Sequence, residues 1–146
     1  MSEFEFFFPL KVRHADTDAQ GHVFFGNYLT FFDEGVTGYL DAIGFTARNL
    51  IEIGLDFFYV AAQCQYKDSA RSGELLQIGV RVTRIGNSSI SFDCAVFRQS
   101  DVLPRVDPWL VSGSVTAVLV NPATRKPQRV PEEFRLAVRQ LQGEGA

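Results

Sequence analysis

Two carboxylates, two imidazoles and two glycines crowd one short stretch of this chain, RHADTDAQGHVFFGN, residues 13 to 27. Asp16 and Asp18 stand two apart, and Gly21 and Gly26 bracket His22, Val23, Phe24 and Phe25. A carboxylate beside an apolar wall can attack a carbonyl or act as general base for water. The amides that open a helix lack intrahelical partners, so they can hold a developing oxyanion. Together these parts describe acyl transfer to water. Aspartates ahead of a helix also serve simply as turn caps. Asp18 lies nine residues ahead of Asn27, too far to cap a helix that starts there.

The flanking periodicities say what must position this loop. Phe4, Phe6, Phe8, Leu10 and Val12 alternate with polar neighbours, which predicts a strand, and Pro9 predicts that it lies at an edge. From Asn27 to Ile43 the apolar spacing changes to three and four: Tyr28, Phe32, Val36, Tyr39, Leu40 and Ile43 predict a helix buried over most of its girth. Asn27 is its expected N-cap and Gly44 the residue that ends it. Residues 55 to 66 are apolar on both faces and read as a central strand sandwiched between layers.

After KDSARSG come two alternating runs, Leu76, Ile78, Val80, Val82 and then Ile90, Phe92, Cys94, Val96, joined by a Gly86-Asn87-Ser88 turn. The loop QSDVLPRVDP leads to a last strand through Trp109, Val111, Val115, Ala117 and Leu119. NPATRKPQ is a turn, and Pro131 can start a helix reaching about Leu141. Strand, loop, buried helix, four strands and a short helix make an α+β unit in which a curved antiparallel sheet wraps a helix.

With 146 residues the chain reads as a single domain, 1–146, built on one core. It is 46% hydrophobic and 21% charged with a formal charge of -3, which favours neither nucleic acid nor an anionic membrane as partner. No stretch is apolar enough to cross a bilayer. Cys64 and Cys94 lie in apolar segments without metal-ligand spacing and read as reduced core residues, and MSEFEFFFPL lacks a basic lead-in; both point to the cytoplasm. No GxSxG elbow, phosphate loop or zinc motif is present in the sequence.

VRHADTDAQGHVFFGNYLTFFDEG resembles the signature of hotdog-fold acyl-CoA thioesterases, specifically the 4-hydroxybenzoyl-CoA thioesterase-like branch: DxDxxGxV, a short gap, then NY and an aromatic helix. The resemblance implies an acyl-CoA thioesterase in which Asp18 is the catalytic carboxylate, Asp16 shapes the loop, and the backbone amide of Phe25, with Gly26 adjacent, polarises the thioester carbonyl. His22 has either a catalytic or a loop-orienting role, and His14 a structural one. Some members carry histidine where this chain has Phe25. Asp33 and Glu34 lie beyond the first turn of the helix and read as structural, although another branch places its carboxylate on that helix.

The acyl group is expected against Gly26, Phe24, Tyr28 and Phe58. The coenzyme A phosphates are expected near Lys67, Arg71 and Arg84; Arg125, Lys126 and Arg129 suit a solubilising surface equally well. No metal or redox cofactor is implied. The substrate is an acyl-CoA, or the thioester of an acyl carrier protein, and the assembly a homodimer or homotetramer with sites between subunits. The rivals are a hotdog dehydratase or hydratase, which would want a better placed histidine, and a silent acyl-CoA-binding or regulatory module in which Asp18 only caps its loop.

Overall fold

A computed structural model of the chain describes residues 4–99 and 109–143. Strand β1 (Phe6–Lys11) leads through a 3-10 turn at His14–Asp16 and the loop to helix α1 (Asn27–Ala42). Then follow α2 (Ala47–Glu52), β2 (Asp56–Tyr66), β3 (Leu75–Ile85), β4 (Ser89–Arg98), β5 (Val111–Val120) and α3 (Glu132–Gln142). The strands form one antiparallel sheet in the order β1-β3-β4-β5-β2. Helix α1 lies across its inner face and packs on β1, β2, β3 and β4, which is the expected hotdog arrangement.

Both inward runs of β3 and β4 are buried as their alternation predicts, and they meet Phe32, Val36 and Tyr39 of α1. Gly35 and Gly38 bring the helix close: a Cβ at Gly35 would lie 2.7 Å from Ile78, and one at Gly38 would lie 2.5 Å from the Phe8 ring. Gly44 ends the helix at φ +85°, and Pro9 sits on an edge strand. Helix α3 starts after Pro131 as read.

Several expectations are corrected. The chain bends at Glu5, so Phe4 leaves the alternation of β1 and joins Phe7, Ala95, Phe97 and Trp109 in a small cluster on the outer face. Gly79 leaves the space that the Phe4 ring fills. Trp109 belongs to that cluster, and β5 starts at Val111. Strand β2 is the far edge of the sheet instead of its centre, pairing with β5 alone among the described residues. Its pairing shifts between Tyr59 and Ala61, leaving Val60 as an extra residue. Phe57 and Tyr59 therefore face the helix before the bulge, whereas Ala62, Cys64 and Tyr66 share that face after it, opposite Val115, Gly113 and Val111. Apart from Gln99, the QSDVLPRVDP loop lies outside the described residues.

The far end of β3 continues beyond its pairing with β1, which stops at Val80. There the Gln142 side chain takes the place of a strand, accepting from the Val82 amide at 2.7 Å and donating to the Val82 carbonyl at 3.1 Å. The Tyr39 hydroxyl donates to the same Gln142 oxygen, so one primary amide joins α3, β3 and α1.

Candidate active site

The loop ahead of α1 is a small hairpin. Phe24 donates to the Asp16 carbonyl at 2.9 Å, Thr17 bridges to Val23, and Asp18 donates to His22 at 2.8 Å. Gly21 closes the turn at φ +83°, donating to the Asp18 carbonyl at 3.0 Å. The two aspartates do different work within it. Asp16 is 4% exposed, and its carboxylate accepts from the Arg13 amide at 2.8 Å and from the Arg13 guanidinium at 3.2 and 2.7 Å. Those bonds hold its pKa below the usual carboxylate range against the cost of burial. Asp16 is thus a structural anchor.

Asp18 is half-buried, and its Oδ1 accepts the amides of Gln20 at 2.8 Å and His22 at 3.3 Å. It therefore does cap its own turn. Its Oδ2 has no hydrogen-bond partner among the described residues.

Asn27 does not cap the helix as expected. The residues before it are already turning: Asn27, Tyr28 and Leu29 donate to the carbonyls of Phe24, Phe25 and Gly26 at 2.8, 3.4 and 3.3 Å. Gly26 has helical dihedrals, φ -68° and ψ -21°, and is the N-cap. The Asn27 side chain instead donates to the Asp16 carbonyl at 2.9 Å. The amides of Phe25 and Gly26 meet no acceptor among the described residues.

The wall facing this loop is the segment between β2 and β3. Val23 donates to the Ala70 carbonyl at 2.9 Å, His22 Nδ1 lies 2.9 Å from the Ser69 hydroxyl, and His22 bridges to Arg71. Arg98 braces the segment from β4, donating to Glu74 at 2.8 Å and to the Ser69 carbonyl at 3.3 Å. Tyr66, the last residue of β2, donates its hydroxyl to the Phe25 carbonyl at 3.0 Å, and its ring packs on Phe25 and Tyr28. Desolvation first, and then the Cys64 thiol, lift the Tyr66 pKa to about 12, so the hydroxyl stays protonated and donating at neutral pH.

The residues singled out from sequence separate into two groups. Asp18, His22, Phe24, Phe25, Gly26, Tyr28 and Arg71 come together at this loop, whereas Lys67 turns its ammonium onto the Trp109 ring of the outer-face cluster, 4.5 Å from the centroid. Phe24 and Phe25 are 46% and 64% exposed. Tyr28 is buried, and its hydroxyl accepts from Ala70 at 2.9 Å, so it supports the wall from within. Phe58 and Arg84 lie at the opposite end of the sheet. Phe58 is on the outer face with the Arg125 guanidinium 4.7 Å over its ring. Asp33 accepts from the Tyr59 hydroxyl at 2.7 Å, joining α1 to β2. Tyr66, Ser69 and the role of Asn27 escaped the sequence reading. A polar-tipped aromatic immediately before KDSARSG was the available signal for Tyr66.

Among the described residues no three His, Cys, Asp or Glu side chains come together as a metal site, and no helix is long and apolar enough to cross a membrane. Residues 20–105 match the model of the thioesterase superfamily, which covers more than half of the chain. The chain belongs to that superfamily. An acyl-CoA thioesterase, YbgC, of Haemophilus influenzae is 29% identical over 137 residues, spanning 93% of this chain and 96% of that protein. The PA5185 protein of Pseudomonas aeruginosa superposes with a TM-score of 0.83 at 27% identity, over 99% of this chain and 96% of the other. The gentisyl-coenzyme A thioesterase BH1999 superposes with a TM-score of 0.78 at 25% identity, over 90% and 98% of the two chains. The resemblance read from residues 13 to 35, with the hotdog fold and enzyme class it implied, is borne out.

Proposed function

We propose that this superfamily member hydrolyses the thioester of an acyl- or aryl-coenzyme A to the free acid and coenzyme A, using no metal or redox cofactor. The observation that carries the reading is the placing, on one hairpin loop, of a carboxylate oxygen without a partner, Asp18 Oδ2, and of two amides without acceptors, at Phe25 and Gly26. The amides receive the negative charge that develops on the carbonyl oxygen. Asp18 either takes a proton from the attacking water or attacks the carbonyl carbon itself, forming an anhydride that water then opens. Collapse of the tetrahedral adduct breaks the carbon–sulfur bond, and the departing thiolate takes up a proton. His22, held by Ser69, orients the loop in this scheme.

In the same reading the active unit is a homodimer joined through β2. Its outer edge is eleven residues long and pairs with nothing among the described residues, and Val60 on it is 58% exposed. A two-fold axis pairs this strand antiparallel with its copy. The Asp56 end of one subunit then lies beside the Tyr66 end of the other, so that each loop stands next to the partner's edge strand, while Phe58 and Arg125 stay on the outer face, away from Phe24 and Phe25. Arg71, bridged to His22, is the subunit's own cation for the coenzyme A phosphates. A gentisyl-coenzyme A thioesterase among the structural relatives makes aryl thioesters part of the panel to test.

The test is thiol release from aryl- and fatty acyl-CoA esters and from acyl carrier protein thioesters, with Asp18→Asn beside the wild type. Asparagine keeps an oxygen for the Gln20 and His22 amides, so the loop is retained. The expected loss is about 10²- to 10⁴-fold in kcat with coenzyme A binding retained. Equal rates in the two proteins would overturn the assignment of Asp18. Tight binding without turnover in the wild type would identify a silent binding module instead.

A further inference from the structure

The Phe25 carbonyl is shared in an unusual way. Its helical partner, the Tyr28 amide, reaches it only at 3.4 Å, and the hydroxyl of Tyr66 reaches it at 3.0 Å from a strand 41 residues further along the chain. This carbonyl belongs to the same peptide plane as the Gly26 N–H. In a trans peptide the two bonds point in opposite directions, so anchoring the oxygen fixes the direction of the N–H. A hydrogen bond accepted by the oxygen also polarises the N–H and strengthens it as a donor. The neighbouring peptide is arranged alike: the Phe24 carbonyl accepts from Asn27 at 2.8 Å, and the N–H of that plane is the amide of Phe25.

We propose that Tyr66 is a positioning residue for the hydrolysis. Its hydroxyl holds and polarises the Phe25–Gly26 peptide so that the Gly26 N–H serves beside the Phe25 N–H as a second donor to the oxyanion. The inference rests on the proposed function and adds to it a residue on the edge strand and a second amide. Both amides open the same turn, and consecutive amides at a helix start point the same way along its axis. Glycine at position 26 leaves the approach to that N–H uncovered by a side chain. An added Cβ would crowd the Phe24 ring at 3.0 Å. Tyr66 itself is 47% exposed at the end of its strand, and the bond to the loop is what orients its hydroxyl.

Tyr66→Phe separates this role from packing, because the ring that meets Phe25 and Tyr28 edge to face remains and only the hydroxyl goes. Steady-state kinetics with an accepted acyl-CoA should show kcat reduced about tenfold at unchanged KM, since the bond strengthens a donor used mainly in the transition state. The Gly26 amide proton should move upfield in the ¹H–¹⁵N spectrum of the free protein, with the thermal midpoint within a few degrees of wild type. An unchanged kcat in Tyr66→Phe, while Asp18→Asn is inactive, overturns the role of Tyr66 and leaves the site reading intact. A lowered kcat accompanied by an equally raised KM, or by no movement of the Gly26 proton, also overturns it. Full activity of Asp18→Asn overturns the site reading itself, and the Gly26 shift still reports whether the Tyr66 bond polarises that amide.

Discussion

The Asn27 side-chain amide donates to the Asp16 carbonyl at 2.9 Å, binding the first residue of α1 to the far arm of the loop that precedes it. The same carbonyl accepts the Phe24 amide, so one oxygen closes the hairpin and fixes the helix start. Asp16 holds that oxygen in place through the bonds its carboxylate makes to Arg13.

Acid should test this anchor. The pKa of Asp16 is depressed in the fold, first by the Arg13 side-chain hydrogen bond, so its contribution is present above the ordinary carboxylate value, about 4, and fades as pH falls through the lower folded value. Urea midpoints of wild type and Asp16→Asn should differ most near neutrality and converge below about pH 4. A gap independent of pH would mean that the charge of Asp16 is not what stabilises the loop.

Gly113 should tolerate no side chain. A Cβ there would lie 2.0 Å from the Gln63 carbonyl oxygen and 2.9 Å from the Phe32 ring. The first of these atoms is backbone, so relief requires parting β5 from β2. Gly113→Ala is expected to cost about 3 kcal/mol or more in denaturant unfolding. Gly44→Ala, where nothing lies within 4 Å, should cost only the roughly 1 kcal/mol of an alanine at positive φ.

Gln142→Leu should leave the Val82 amide and carbonyl without their partner and strip the Tyr39 hydroxyl of its acceptor. With these groups partly or wholly buried, the expected loss is about 2–4 kcal/mol. Hydrogen exchange should locate the change at the Val82 amide, and an unaltered rate there would refute the strand-like role of Gln142.

Val60→Lys should break the proposed dimer. Charge on an exposed edge strand opposes pairing with a second edge. Light scattering should show a monomer with unchanged far-ultraviolet dichroism, and activity should fall because the site loop loses the partner's edge strand beside it. A dimer that persists would place the subunit interface elsewhere.

The inward residues of β3, β4 and β5 were legible because polar residues hold most of the outward positions, Ala95 and Phe97 of β4 apart, so period two is written into the sequence. Helix α1 and its glycine terminator were legible for the same kind of reason. Helix α2 escaped because six residues with Leu50 alone buried show no period, although Thr46 caps it through the Asn49 amide at 3.0 Å. Strand β2 was misplaced because apolar residues on both faces mark burial without saying what provides it. The loop was readable in its chemistry and misread in its capping: Asn27 is a good cap by type, but the turn begins three residues earlier, at Phe24. Tyr66 was hidden because its partner is a backbone carbonyl, which leaves no complementary side chain to recognise.

The extra residue in β2 divides that strand into two phases. Ahead of Val60 the odd-numbered positions face the helix, among them Tyr59 on Asp33; behind it the even-numbered ones do, ending at Tyr66 on Phe25. A strand in unbroken phase would satisfy one of these contacts and turn the other toward the outside of the sheet. Removing one residue at position 60 is therefore not a trimming of a surface strand but a reversal of half of it, with the aromatic that meets the helix and the hydroxyl that meets the loop no longer available together. In this chain the length of a strand, counted in single residues, decides which of its side chains can meet the helix and the loop at once.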